Sequence, residues 1–119
     1  MIETEGLTHI HLRVRDLDAS LAFYQQVFGM QEKFRDGDLV FLNTPGSKDT
    51  ITLNPQDEGL AGKSGGIEHF GFRLKPGVTH DEAIEAAQSA GGSLIRRGEH
   101  APGVAYAYIA DPDGYVIEL

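Results

Sequence analysis

One pattern runs through this chain twice, and it limits the fold more than any other feature. Residues 7–15 read Leu-Thr-His-Ile-His-Leu-Arg-Val-Arg. The alternation puts Ile10, Leu12 and Val14 on one face and His9, His11, Arg13 and Arg15 on the other, as a half-buried strand requires. Asp16 or Asp18 can cap the helix that follows, whose apolar positions are Leu21, Phe23, Tyr24, Val27 and Phe28, and Gly29 stops it. Strands are expected at 31–35, 39–43 and 50–54, with turn chemistry at Asp36-Gly37-Asp38 and Pro45-Gly46 between them. A polar, glycine-rich linker covers 55–66, after which the pattern restarts. Residues 67–74 set Phe70, Phe72 and Leu74 against His69, Gly71 and Arg73. An amphipathic helix over 81–90 ends at Gly91-Gly92, and strands follow at 93–97, 104–110 and 115–119.

The order is therefore βαβββ, linker, βαβββ, a repeat of roughly 60 residues. It lays His9 on His69, Arg13 on Arg73 and Val14 on Leu74, and it matches Ile51-Thr52-Leu53 with Ile117-Glu118-Leu119. One domain over 1–119 is expected, with module one at 7–54, the linker at 55–66 and module two at 67–119. Neither module is large enough to bury a convincing core alone. The expected fold class is α+β, two βαβββ modules pairing into a cupped eight-stranded sheet around a cavity.

Composition narrows the function. Ten basic against 18 acidic side chains give a net charge of −8, which repels phosphate backbones and anionic lipid heads and argues against nucleic-acid or membrane partners. With no cysteine, disulfides, thiolate metal sites and cysteine nucleophiles are excluded, so any metal is held by His, Asp or Glu. The opening Met1-Ile2-Glu3-Thr4-Glu5 has neither a basic stretch nor an apolar one, and the longest apolar run, 104–110, is strand-sized. A soluble, cytoplasmic protein is expected. Gly62-Lys-Ser-Gly-Gly lacks P-loop spacing.

The five histidines carry most of the question. His9 and His69 occupy equivalent positions on equivalent strands, on the faces turned away from the helices, and Glu118 shares that orientation on the last strand. Two imidazoles and a carboxylate converging on a cavity form the facial ligand set that leaves positions open on Fe(II) or Mn(II), with Zn(II) or Ni(II) as further candidates. A duplicated structural histidine would produce the same repetition, and periodicity alone leaves both readings open. His11 shares the cavity face with His9, either as an outer group serving a ligand or substrate or as a solvent-facing residue. His80 stands at a helix start, a cap or surface position.

Two segments resemble the vicinal oxygen chelate superfamily, which includes glyoxalase I, extradiol ring-cleaving dioxygenases, fosfomycin-resistance enzymes and bleomycin-binding proteins. They are His9-Ile-His-Leu-Arg-Val-Arg-Asp-Leu with Ser20-Leu-Ala-Phe-Tyr and Phe28-Gly-Met, and the closing Asp111-Pro-Asp-Gly-Tyr-Val-Ile-Glu118-Leu. The resemblance spans essentially the whole chain. By position it implies His9, His69 and Glu118 as metal ligands, a small-molecule substrate, and a homodimer in which His9 of one subunit joins His69 and Glu118 of the other.

Departures from the family's patterns help choose a reaction. Glyoxalase I resembles this chain at the three ligands but adds a fourth, a glutamate, where Thr52 stands here. Fosfomycin-resistance enzymes carry basic residues beyond the last strand, whereas this sequence ends at Leu119. The extradiol signature is followed most fully: Gly98-Glu-His100, six residues, Ala107-Tyr108, Ile-Ala, Asp111-Pro112, Asp, Gly114, three residues, Glu118. Only Ala107 departs, being smaller than the aliphatic residue that pattern uses. The resemblance implies that Tyr108 and His100 help position substrate and oxygen near the metal. The plainer roles are a packing residue beside Tyr106 for Tyr108 and a solvated loop residue for His100. The expected function is a metal-dependent enzyme most like an extradiol dioxygenase acting on a substrate with adjacent oxygens. The alternatives are a glyoxalase-type lyase or isomerase, similar to lactoylglutathione lyase, and a non-catalytic drug-binding protein of bleomycin-binding type.

Overall fold

Local signals set both helices in the computed structural model, which describes residues 1–119. Asp16, in extended backbone, accepts a hydrogen bond from the Ala19 amide at 3.0 Å and starts α1, Leu17–Phe28. Gly29 closes that helix in the left-handed conformation at φ 64°, where a side chain would be strained. The second helix, α2, spans His80–Ser89 and begins with a reciprocal capping box between Thr79 and Glu82. Thr79 is thus the cap, and His80 is the first helical residue, its Nε2 lying 3.1 Å from the Leu119 carbonyl oxygen.

Eight strands accompany them: β1 Ile10–Arg13, β2 Gln31–Asp36, β3 Leu39–Asn43, β4 Ile51–Asn54, β5 Phe70–Gly71, β6 Ser93–Ala101, β7 Val104–Ala110 and β8 Val116–Glu118. They form two four-stranded sheets with the same order, β1-β4-β3-β2 and β5-β8-β7-β6. In each, the first strand of the half pairs parallel with the last, and the other pairs are antiparallel. Ile10 lies opposite Ile51 and Phe70 opposite Ile117, so the repeat in the sequence is a repeat in register.

The two opening strands are shorter than their alternation suggests, because their partners are short. β8 offers three residues, so β5 has ladder pairing only at Phe70 and Gly71, continued by the Phe72 amide donating to the Glu118 carbonyl. In contrast, β6 runs on to Ala101, and His100 is a strand residue next to the Pro102-Gly103 hairpin turn. One cluster of buried side chains takes Val14, Phe23, Tyr24, Leu42 and Leu53 from the first half and Ala87, Ile109 and Ile117 from the second. The two halves therefore share a core, as the small size of each requires. No helix is long and apolar enough to cross a membrane.

The halves are also fastened by polar contacts. Tyr24 Oη donates to Asp111 Oδ2 at 2.8 Å, and Asp111 Oδ1 accepts from the amides of Asp113, Gly114 and Tyr115. Ser20 Oγ and the Arg15 amide donate to the Asp113 carboxylate, while Tyr115 Oη donates to the Arg13 carbonyl. Burial pushes the Asp111 carboxyl above its usual range, the Tyr24 hydrogen bond working against this, and burial raises the Tyr24 phenol well above its ordinary value. Removing a partner from such a group leaves buried donors unpaired. Asp111→Ala is expected to lower stability by about 3 kcal/mol and Tyr24→Phe by about 1 kcal/mol in urea unfolding. Wild-type stability in Asp111→Ala would contradict this account of the junction.

Candidate functional site

Each sheet turns one face to the helices and one away from them, and the register identifies the residues in line across the open faces. In the second sheet the row is Gly71, Glu118, Tyr108 and Arg96. In the first it is His11, Thr52, Phe41 and Phe34. His69, two residues before Gly71, shares the second sheet's open face.

His69 Nε2 lies 3.0 Å from Glu118 Oε2, and His100 Nε2 lies 2.6 Å from Glu118 Oε1. One carboxylate thus meets an imidazole at each oxygen. The hydrogen bond from His100 is the largest cause of a Glu118 pKa below the usual carboxylate range, and His69 adds to it. His69 Nδ1 is buried without a hydrogen-bond partner, its nearest carboxylate oxygen being Glu68 Oε1 at 3.5 Å. The Tyr108 ring stands edge-on to His69 with centroids 5.0 Å apart, and Tyr106 stacks on His100 at 4.2 Å.

Gly98 explains how that stack forms. A Cβ at this position would come within 2.9–3.2 Å of the Tyr106 ring and hydroxyl, so glycine lets the ring lie across β6 against His100. The sequence names Gly98 as the opening of the extradiol-like segment and Tyr106 as a neighbour of Tyr108, and the structure gives both a part in the site. The signal for them is register, since Gly98 is directly opposite Tyr106 in the β6–β7 hairpin.

His69, His100, Tyr108 and Glu118 therefore converge, and His9 does not join them. His9 precedes β1, is exposed, and has its Nδ1 2.8 Å from Thr8 Oγ1. Within one chain, no three His, Asp or Glu side chains are disposed to hold a metal ion. The reason lies in the seam between β1 and β5. One hollow on it brings His11 and Leu12 beside Glu68 and His69, and another brings Thr8 and His9 beside Gly71 and Phe72. The strands run past each other in opposite senses, so the equivalent histidines fall in different hollows on either side of Ile10 and Phe70, which line both. Thr52, buried on the first open face, engages His11 Nδ1 through its hydroxyl at 2.7 Å.

The donor chemistry at His69 and Glu118, one imidazole nitrogen and one carboxylate oxygen side by side and about a quarter exposed, fits a divalent cation of intermediate softness. Beside it lies an open cleft of about 620 Å³ lined by Arg73, His80, His100, Tyr106 and Glu118, a volume suited to a small molecule.

The family model described as the Glyoxalase/Bleomycin resistance protein/Dioxygenase superfamily matches residues 6–119. The chain belongs to this superfamily. It is similar to an uncharacterized protein of Pseudomonas aeruginosa, with 33% identity over 95% of this chain and 86% of that protein. It is also similar to the probable lactoylglutathione lyase of Vibrio parahaemolyticus, with 32% identity over 95% of this chain and 88% of the relative. Among solved structures, a mutant of the fosfomycin resistance protein FosX of Listeria monocytogenes superposes with a TM-score of 0.78 at 25% identity. The match covers 98% of this chain and 90% of that one, and the FosX structure is complexed with Mn(II) and 1S,2S-dihydroxypropylphosphonic acid.

The lowered Glu118 pKa in this superfamily member has a consequence for stability. A carboxyl whose folded pKa is depressed contributes stability above its unfolded pKa, and that contribution is lost as pH falls through the folded pKa. In chelator-treated protein, wild type is expected to be more stable than Glu118→Gln at about pH 6, and the difference is expected to shrink as pH falls below the usual carboxylate range. A difference independent of pH in urea titrations would contradict the ion-paired carboxylate.

Proposed function

We propose that this chain is a metal-dependent enzyme that binds a small substrate through two adjacent oxygens and acts on it by glyoxalase-type lyase or isomerase chemistry. The observation that carries this reading is the pairing of His69 with Glu118, 3.0 Å apart on an open sheet face beside a cleft of small-molecule size. The reaction class rests on similarity to a lactoylglutathione lyase over nearly the whole chain.

His69 and Glu118 would hold a divalent ion, Fe(II) or Mn(II) foremost, with Zn(II) or Ni(II) also suited to nitrogen and oxygen donors. His9 is the third ligand in this reading, and because it lines a different hollow from His69 within one chain it comes from a second copy in a two-fold dimer with two sites. Such an ion, when bound, would supply Lewis-acid polarisation to adjacent substrate oxygens. The remaining work belongs to side chains. Tyr108, edge-on to His69, offers a phenolic O–H to a substrate oxygen. His100, steadied by the Tyr106 stack, moves a proton at Nε2, the atom it turns toward Glu118.

One observation favours a second reading, extradiol ring cleavage. The segment from Gly98 to Glu118 folds so that Tyr108 and His100, the residues that chemistry would use, touch His69 and Glu118. Thr52, buried and engaged with His11, also departs from the four-ligand site of glyoxalase I. A purely ligand-sequestering role, as in bleomycin-binding proteins, has no need of the His69–Glu118 pair.

Anaerobically purified wild type is expected to take up one divalent metal per chain, and His69→Ala and Glu118→Ala are expected to lose it, as read by elemental analysis. Unchanged metal content in both variants would contradict a metal site here. With loaded protein, oxygen-independent turnover of methylglyoxal–thiol adducts supports the lyase chemistry. Oxygen uptake with a coloured product from catechols would replace it with ring cleavage.

A further inference from the structure

The two open-face rows have the same backbone and different chemistry. Where the first sheet has Thr52, Phe41 and Phe34, the second has Glu118, Tyr108 and Arg96. If only a metal ligand distinguished the second module, the difference would stop at Glu118. Instead three consecutive positions carry a carboxylate, a phenol and a guanidinium against a hydroxyl and two phenyl rings. The outermost position is reached through a β-bulge in both sheets, between Glu32 and Phe34 and between Leu94 and Arg96. Leu94 lies opposite the buried Ile109, so strict alternation would turn Arg96 toward the core. The bulge turns it to the open face opposite Tyr108.

Arg96 is also unpaired. Its neighbour Arg97 forms an ion pair with Asp81 at the start of α2. Arg96 has neither an ion pair nor a hydrogen bond, in a chain with 18 acidic side chains available to supply one. Its guanidinium carbon lies 5.0 Å from the Tyr108 ring centroid and 6.0 Å from that of Tyr106. The Tyr108 ring thus lies between a cation with free donors and the His69–Glu118 pair. Glu118 and Arg96 are two strands apart, about 10 Å across the sheet.

We infer that Arg96 determines substrate specificity by binding an oxyanion at the end of the substrate remote from its adjacent oxygens. The substrate class is then a small organic acid that spans the Tyr108 ring, its oxygens at the His69–Glu118 end and its anionic group on the Arg96 fork. Carboxylate and phosphoryl groups present the same paired oxygens to a guanidinium. This deepens the metal-dependent reading of the same site and rests on it for the chelating end.

The test has two arms, each run on wild type, Arg96→Met and Arg96→Lys. Metal-free protein is titrated with benzoate and with phenylphosphonate while the Arg96 Nε–H resonance and the Tyr108 ring resonances are followed by NMR. Mn(II)-loaded protein is titrated calorimetrically with protocatechuate and with its methyl ester. One or both simple anions are expected to shift the wild-type resonances, and the stronger response identifies the oxyanion taken. Protocatechuate is expected to bind about tenfold more tightly than its ester. Arg96→Met, which keeps apolar cover over Tyr108, is expected to abolish the Tyr108 shifts and the acid preference while ester affinity stays the same. Arg96→Lys should retain part of both. Equal losses for acid and ester in Arg96→Met would mean that Arg96 only packs, and an acid preference surviving that variant would mean that another cation binds. Either result overturns the inference and leaves the metal reading intact. If neither catechol binds loaded protein, the chelating end is not a catechol, the metal reading stands or falls on metal content, and the simple anions decide the role of Arg96 alone: shifts lost in Arg96→Met support it, and no shift overturns it.

Discussion

Asp111 is almost fully buried at the turn between β7 and β8, and its carboxylate accepts from three successive backbone amides and the Tyr24 hydroxyl. A carboxylate in that position is costly unless its oxygens are occupied, and here both are. The amide contacts fix the turn, and the turn sets Tyr108 opposite Glu118. Glu118 in turn meets His69 from β5's side and His100 from β6. The Tyr24 contact ties the same turn to the first helix, so the residue that shapes the site also joins the two halves. Site geometry and domain integrity therefore share one group.

The repeat supplies backbone twice and chemistry once. Both halves present an open sheet face with a bulged outer strand, yet His11, Thr52, Phe41 and Phe34 give the first a largely aromatic surface, with His11 and Thr52 satisfying each other. The second half carries the ionisable row. Because β1 and β5 pass each other in opposite senses along the seam, His9 and His69 line different hollows in one chain, and His9 is left without the cluster that its sequence position suggests. In the proposed dimer, a second copy resolves that mismatch.

Much of this was legible in the sequence where the signals are local. Asp16 and Gly29 mark the ends of α1, the strand at 39–43 has the observed bounds, and the ten-residue spacing of Tyr108 and Glu118 around Asp-Pro-Asp-Gly places them as a cross-strand pair. What escaped depends on partners distant in the chain. β5 is short because β8 is, and His100 is in a strand because β7 continues opposite it. Arg96 faces outward only because a bulge breaks the alternation that would bury it. The separation of His9 from His69 is a property of the seam between modules, which neither module encodes alone. The lyase names among the relatives pointed away from the extradiol expectation, while the contacts of Tyr108 and His100 kept that chemistry as a second reading.

The central claim is that His69 and Glu118 are half of a metal centre completed by a second copy of the chain. Anomalous diffraction from crystals grown with Mn(II) tests it directly. One manganese peak per chain is predicted, within about 2.3 Å of His69 Nε2 and a Glu118 carboxylate oxygen and bonded to His9 of a two-fold-related copy. Crystals with no peak at this pair, or with manganese bound elsewhere, would contradict it.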